Sequence, residues 1–595
     1  MRRRPTIAVL MLTALAGSSA AAAQQGGGDG IKPAGKPARP APPEIEAPRP
    51  APASPPASPG HDSGSTRLPP EERLVPDAGQ NSWRMWLARN LHAFESPPLD
   101  MATAHPGLPP HLADPLLRAQ KRDLYRPDVD ARLSLLLRDP DDRVRGAAAV
   151  SLARAGLADE PGDAATLFAM LDDDQRRVRD QALLAASLVD GGAARYRLLR
   201  FVAASDELIY ARTESERTRT RALATLFVSL RHERLLPQLV RDLVADRRLA
   251  TPLRSLIVGA LGLAGDPGAV PILVQIVRDR EEPALVRAAA VGALGSLRDR
   301  AAAPVVVALL EDRDHDSEVR AAAALAAGEL VAAANADLVR ALVRAHDREG
   351  NATISRFLLL SLGRIGGAAA ENEIERVLRR QSAEERVYAE LALGLAARAS
   401  RDPQRLAPLL EALRGARSQD ERCALLCALG LSGLPQAFEP IAVETLRAGA
   451  PDVKRAGILA LQILGSAAGL PLFQKLLIDD DAPEVRMQAA RALARLDPGS
   501  ASTLIHALGS SRSRGTGERA ALILSLGFTR DPSALEPLLD LLRERGHPSR
   551  EREAATLALG LIYDARPAPP TARVGEARSF LRESYEIPGL LALAE

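Results

Sequence analysis

Val286-Arg287-Ala288-Ala289-Ala290-Val291-Gly292-Ala293-Leu294-Gly295 is the stretch that decides the architecture of this chain. It returns as Val319-Arg320-Ala321-Ala322-Ala323-Ala324-Leu325-Ala326-Ala327-Gly328, and again from Val485-Arg486 through Ala489-Ala490 to Leu493. Its arginine recurs at Arg145, Arg179, Arg219, Arg254, Arg287, Arg320, Arg386, Arg422, Arg486, Arg519 and Arg552, with Ser355 and Lys454 in two further slots. Successive spacings are 34, 40, 35, 33, 33, 35, 31, 36, 32, 32, 33 and 33 residues. A fixed period of this length marks a stacked repeat and overrides any reading made element by element.

Around each arginine the apolar positions fall at i, i+3, i+4, i+7 and i+8, one stripe of a helix. Seven residues beyond it stands a leucine in most repeats, among them Leu152, Leu261, Leu294, Leu461 and Leu559. A second helical run follows a short connection, as in Ala269–Val277 or Leu535–Leu542, with Pro271 or Pro537 in its first turn. Proline is tolerated there because the first N–H groups have no intrahelical partner. Asp139-Pro140 and Asp266-Pro267 read as turn and N-cap residues. Helices of roughly 10–14 residues are marginal alone. Neighbouring repeats must therefore stack to bury the stripes. The predicted fold class is all-α: an α-solenoid superhelix of about thirteen helical hairpins.

The phrase Asp-x-x-Val-Arg-x-x-Ala-Ala-x-Ala-Leu-Gly, followed by an amphipathic helix with an early proline, resembles the HEAT repeat, and more closely its short PBS-lyase HEAT-like variety. The resemblance covers about residues 131–564. It implies a curved superhelix whose concave face binds other molecules. With helices packed roughly 8–10 Å apart, thirteen repeats give a contour on the order of 100 Å.

Two readings of the arginine compete. In one, the guanidinium points along the seam between repeats and donates to acids or carbonyls of the adjacent turn, which its rigid five-donor fork suits. In the other, the arginines form a line of cations for an anionic partner. Acidic residues travel with the arginines, as in Asp141-Asp142, Asp172-Asp173-Asp174 and Asp479-Asp480-Asp481, which favours the structural ladder. On it, Ser355 and Lys454 should mark the weakest seams. Net charge agrees: the formal +2 includes Arg2, Arg3 and Arg4, so a chain without them carries +2 − 3 = −1. Such a chain lacks the footprint of a nucleic-acid binder, and no nucleic-acid partner is expected.

Residues 1–23 carry the grammar of a secretory signal: Arg2-Arg3-Arg4, an apolar run from Ile7 to Ala16, and Ala21-Ala22-Ala23 before Gln24. That run is too short to span a bilayer comfortably. The chain is expected to be exported to the periplasm or cell envelope, with no transmembrane segment once the signal is cleaved. Residues 24–80 are a Pro/Ala-rich linker; eleven of the thirty residues from Ile31 to Gly60 are proline, too many to bury a core. Residues 81–130 form an expected N-terminal capping segment. Trp83, Trp86, Leu87, Asn90, Leu91 and Phe94 share a helical face behind Ser82, and solenoids need atypical end units. A docking helix for a partner is the alternative. The repeat array runs over 131–564, and residues 565–595 are expected to close its other end.

The chemistry-bearing residues form no catalytic set. One His-Glu pair (His232-Glu233) and two His-Asp pairs (His315-Asp316, His346-Asp347) fall short of the several motifs that di-iron HEAT-like hydroxylases or His-Asp phosphohydrolases would require. Cys423 and Cys427, four apart on one helix, are poorly placed for a disulfide and too few for a zinc site. They read as small core residues. No catalytic residue, cofactor or metal is therefore assigned. The 40-residue step between Arg179 and Arg219 holds Arg195, Tyr196, Arg197, Arg200, Phe201 and Tyr210, types favoured at interface hot spots, and is the candidate interface. The expected function is a non-enzymatic scaffold for protein partners. The alternatives are a HEAT-like enzyme, of metal-dependent hydroxylase or lyase type, and a polyanion binder.

Overall fold

A computed structural model describes residues 114–157, 161–189, 251–380, 383–510, 515–544 and 546–564, together with single positions within 83–104 and 241–249. The signal segment, the linker, Arg219, all six residues of the candidate interface and the segment 565–595 lie outside the described residues. The described helices are α1 (Pro115–Leu136), α2 (Asp142–Arg154), α3 (Pro161–Ala169), α4 (Arg176–Leu188), α5 (Thr251–Ala264), α6 (Val270–Arg278), α7 (Ala284–Leu297) and α8 (Ala303–Glu311). They continue as α9 (Ser317–Leu330), α10 (Ala336–Arg348), α11 (Ala352–Ile365), α12 (Ala368–Arg380), α13 (Ala383–Ser400), α14 (Leu406–Gly415), α15 (Gln419–Leu431) and α16 (Phe438–Arg447). The last are α17 (Pro451–Leu464), α18 (Leu470–Asp479), α19 (Pro483–Leu496), α20 (Ala501–Gly509), α21 (Thr516–Phe528), α22 (Leu535–Arg543) and α23 (Ser549–Tyr563). No strand occurs among the described residues. The molecule is an all-α solenoid of packed helical pairs.

The turn between the helices of a pair is written locally. Asp266, Asp299, Asp402 and Asp531 each accept, through the side chain, the N–H two residues on (3.0, 3.0, 3.0 and 2.8 Å), capping a short 3-10 turn that feeds the second helix. Just before it the chain turns left-handed, eleven residues after the repeat arginine or its substitute: Gly156, Gly265, Gly433 and Gly465 there have φ between +62° and +68°. Glycine adopts this conformation without steric cost. Arg298 and Arg530 hold the same position at φ +54° and +53°, a conformation that costs an L-residue roughly 1–2 kcal/mol.

The helices that follow the acidic turns (α2, α4, α5, α7 and then every second helix to α23) make one layer, and their partners make another. Members of the first layer pack against each other along their length, whereas neighbours in the second touch mainly at α8–α10, α10–α12 and α18–α20. Small residues cause this. A Cβ placed on Gly262 would lie 2.6 Å from the Cα of Ala293; Gly430 meets Ala460 at 2.7 Å and Gly527 meets Ala558 at 2.6 Å. Each pair joins the residue eight after one repeat position to the residue six after the next. Side chains there would hold the helices apart, so glycine lets one layer draw together while the other splays. The layer of repeat positions therefore lies on the inside of the curve.

The curve carries the array back to its start. Helix α23 packs on α2 as extensively as α9 packs on α11, and it also touches α1. Among the described helices the order in space is α5 through α23, then α2 and α4. The first repeat thus covers the end of the last.

Candidate interaction surface

The guanidiniums of the inner layer lie in the seams. Arg486 donates through Nε and Nη2 to Glu518 (2.6 and 2.8 Å) and through Nη1 to the carbonyls of Asp480 and Asp481 (2.7 and 2.9 Å). Arg145 repeats this fork, with Asp173 at 3.0 and 3.1 Å and the carbonyls of Asp139 and Pro140 at 2.7 and 3.0 Å. Arg179 donates to the carbonyls of Asp173 and Asp174. Arg254 reaches Glu282 and the Val244 carbonyl, Arg320 reaches Glu349, Arg519 reaches Glu551, and Arg552 reaches Asp139. Arg287 divides its fork between Asp316 and Nδ1 of His315. Burial and the neighbouring Arg287 hold the His315 imidazole below its usual pKa.

Two slots that break the sequence rule are filled by other means. Lys454 takes the rung with Asp480 at 2.5 Å. At Ser355 the space is used by His346 from α10, whose Nε2 lies 3.1 Å from the serine Oγ and whose Nδ1 lies 2.5 Å from Glu373. Burial works upward on the Glu373 carboxyl, but hydrogen bonds from His346 and Arg376 prevail and hold it at about 2. Ser355 and Lys454, expected to mark the weakest seams, thus stand in seams that other groups bridge.

The ladder is interrupted elsewhere. Arg386, assigned to it from sequence, is corrected here: it reaches no acid across the next seam. The Arg386 side chain is 49% exposed with Nε 3.6 Å from Glu390, four residues on along its own helix. Arg422 keeps the carbonyl half of the rung, donating to Ala416 of its own turn at 3.5 Å, while its acid is Glu444, 3.6 Å away in the second helix of its own repeat. Between them sits Glu390. Its position, four residues after the repeat arginine, holds an apolar residue such as Val258, Val291, Leu359, Leu426 or Ile523 in other repeats. Glu390 is 1% exposed, and neither carboxyl oxygen has a hydrogen-bond partner. Burial, reinforced by Glu421, pushes its pKa up to about 8 against the pull of Arg386. The odd residue in that slot was visible in the sequence; the loss of its rung was not.

At the same interruption the N-terminal aromatic segment meets the array. Arg84 donates to Asp420, at the start of α15, through Nε and Nη2 (3.1 and 2.8 Å) and lies over the Trp83 ring, whose Nε1 is 3.4 Å from the same carboxylate. Trp83, Leu87 and Phe94 are buried, and Arg398 of α13 stacks over Phe94. Further on, Leu99 donates its N–H to the Leu496 carbonyl and Arg118 reaches the carbonyls of Pro498 and Arg530. The segment was expected to cap the start of the array. The described contacts of Trp83, Arg84, Phe94, Leu99 and Arg118 fall on α13, α15 and the ends of α19 and α21. Helix α1, in the same segment, instead packs on α2, and its Arg126 donates to the Gly156 carbonyl at the start of the array. Trp86, Asn90 and Leu91 lie outside the described residues.

Cys423 and Cys427 on α15 are buried free thiols, with burial pushing both upward, Cys423 to about 11. Among the described residues no three His, Cys, Asp or Glu side chains converge as a metal site would require, and no helix is long and apolar enough to cross a membrane.

The family described as HEAT repeats matches residues 243–328, 280–355, 406–494 and 471–560. Comparison with curated proteins gave no match. Among solved structures, the chain is similar to the complex of CpcE and CpcF of phycocyanin lyase from Nostoc sp. PCC7120, at 23% identity over 44% of this chain and 94% of that one, TM-score 0.30. Human deoxyhypusine hydroxylase in complex with glycerol is 19% identical over 45% of this chain and 95% of that one, TM-score 0.21. Importin beta in an ammonium sulfate condition is 14% identical over 86% of this chain and 76% of that one, TM-score 0.33.

Proposed function

Because the chain is a HEAT-repeat protein, we propose that it is an exported, non-enzymatic scaffold whose inner layer takes a protein partner. One observation carries the reading: the inner layer already holds a polypeptide segment, with Trp83 on Asp420 of α15, Phe94 under Arg398 of α13 and Leu87 likewise buried. Large amphipathic rings set in a desolvated pocket beside an arginine are the usual anchors of protein interfaces. The ladder supports the choice of partner class. Guanidiniums that donate to carboxylates and carbonyls within the seams are committed to them, so a nucleic-acid or other polyanionic ligand would find few free cations along the repeat.

The test is chemical cross-linking of purified mature protein to cell-envelope extract, with the sites mapped by mass spectrometry. The reading expects cross-links from one partner to concentrate on α13 through α21. Cross-links confined to the outer helices, or stoichiometric iron or zinc in the purified protein, would count against it. Export is read separately, by fractionating cells and measuring the mass of the mature N-terminus, expected at Gln24.

A further inference from the structure

The contact between the last repeat and the first obeys the rules of every interior seam. Gly560 stands eight residues after Arg552, and a Cβ on it would lie 2.6 Å from the Cα of Ser151, six residues after Arg145. Gly262 on Ala293 and Gly527 on Ala558 show the same offset and the same approach. Arg552 places its fork on Asp139, the acid of the turn before α2, as Arg145 does on Asp173 before α4. Buried Ser151 donates its Oγ to the Thr556 carbonyl at 2.8 Å. Glu553 stands between Arg177 (2.5 Å) and Arg143 (4.0 Å), and Tyr563 donates its hydroxyl to the Arg122 carbonyl at 2.6 Å. Two ends more than 400 residues apart therefore present two different faces that fit each other as consecutive repeats do.

Such a contact is heterologous: the face of α23 and the face of α2 are not alike, and each molecule carries one of each. Nothing in the seam requires that both come from the same chain. We propose that the α23–α2 seam is an exchangeable interface whose occupant is the first repeat of this chain, in cis or from a second copy. In cis the two faces belong to one chain and meet at a higher effective concentration than faces of separate molecules, so closure within one molecule dominates at micromolar protein. When cis closure is disfavoured, two copies can trade first repeats and satisfy both seams, a low-cost route to a dimer.

Charge reversal of the Asp139–Arg552 rung tests this with full-length protein. Asp139→Arg alone places two arginines in the seam, and Arg552→Asp alone places two aspartates. Each should accelerate amide exchange in α2 and α23 by about tenfold while α7 through α17 keep their protection. The double variant Asp139→Arg/Arg552→Asp restores an opposite-charge pair in cis and should return protection to within a factor of about two. Mixed in equal amounts, the two single variants regain opposite-charge pairs only by exchange. One seam then joins the two introduced residues, and the other joins the native Asp139 of one copy to the native Arg552 of the other. Native mass spectrometry should show a 1:1 heterodimer that neither variant forms alone. A mixture without heterodimer overturns exchange between copies. Single variants with unchanged exchange in α2 and α23, or ones that lose protection throughout the array, overturn the seam as a separable interface. Should either reversal prevent folding, the milder pair Asp139→Asn and Arg552→Gln reads the same local opening.

Discussion

Two seams of the same array differ in how they are bridged. Between α19 and α21, Arg486 is buried and donates to Glu518 and to two carbonyls of its own turn. Between α13 and α15, Arg386 is half-exposed beside Glu390, Glu390 is buried with no hydrogen-bond partner, and Glu421 accepts the local N–H of Arg417. Backbone packing is preserved in the second seam, where Gly394 still meets Ala428 within the space of a missing Cβ. Glycine and alanine therefore hold the helices together, and the arginine fork rides on that approach. A repeat can lose its rung and keep its place in the stack.

Removing the fork where it is buried should produce the largest effect. Arg486→Ala leaves Glu518 buried without its cation and two carbonyls without donors. Loss of one partner of a buried pair costs about 3–5 kcal/mol, read as a lower midpoint in urea unfolding. Arg386→Ala, with an exposed side chain, should shift the same midpoint by no more than ~0.5 kcal/mol. Comparable losses in the two variants would show that the rung at α13–α15 is formed in solution.

The second change fills the aberrant core slot with the residue type its neighbours use. Glu390→Leu removes a buried unpaired carboxyl and should stabilise by about 1–4 kcal/mol. The pH dependence carries the sign. A carboxyl raised from 4.5 to about 8 in the folded protein binds its proton more tightly there than in the unfolded chain. Its contribution is full below pH 4.5, declines as pH rises to about 8 and changes no further above that. Stability of the wild type should fall across that interval, and the slope should flatten in Glu390→Leu. An unchanged slope in the variant would mean that the carboxyl is solvated.

How much of this was legible follows from what each feature depends on. Helical pairs, the arginine period and the Asp-Pro turns are local, and residues such as Asp266 and Asp299 act on amides two positions away. The ladder partners could be guessed, since acids precede each repeat at nearly fixed distance. Closure could not be read, because it depends on small rotations accumulated over all the seams, and Gly560 looks like any other repeat glycine until Ser151 lies against it. The exit of Arg386 depends on Glu390 entering the core, which a period search passes over. The docking of Trp83 follows from the same curvature: an aromatic helix reads equally well as an end cap until the array returns toward it.

Glu373 extends the comparison to the opposite acid limb. Its carboxyl is held near 2 by His346 and Arg376, so its contribution is present above its unfolded pKa of 4.5 and is lost as pH falls toward 2. Glu373→Gln should remove that acid-side slope and leave the slope above pH 4.5, assigned to Glu390, in place. Urea midpoints measured across both intervals separate the two seams; a variant that alters both slopes would show that α10–α12 and α13–α15 titrate together.

The smallest effect belongs to the place where the N-terminal segment touches the interrupted seam. Asp420→Asn keeps the size of the acceptor and removes its charge from Arg84 and Trp83. The Arg84–Asp420 pair is partly exposed, so its loss should cost only about 0.2–1 kcal/mol, too little to move global unfolding clearly. Tryptophan emission is the sensitive readout, because Trp83 is buried and both tryptophans of the chain, Trp83 and Trp86, belong to this segment. If the segment is held to α15 through that carboxylate, emission in Asp420→Asn shifts to the red while the urea midpoint stays within about 1 kcal/mol of wild type. Emission that does not move would leave the buried Leu87 and Phe94, the latter under Arg398 of α13, as the anchors that suffice to hold the segment on the inner layer.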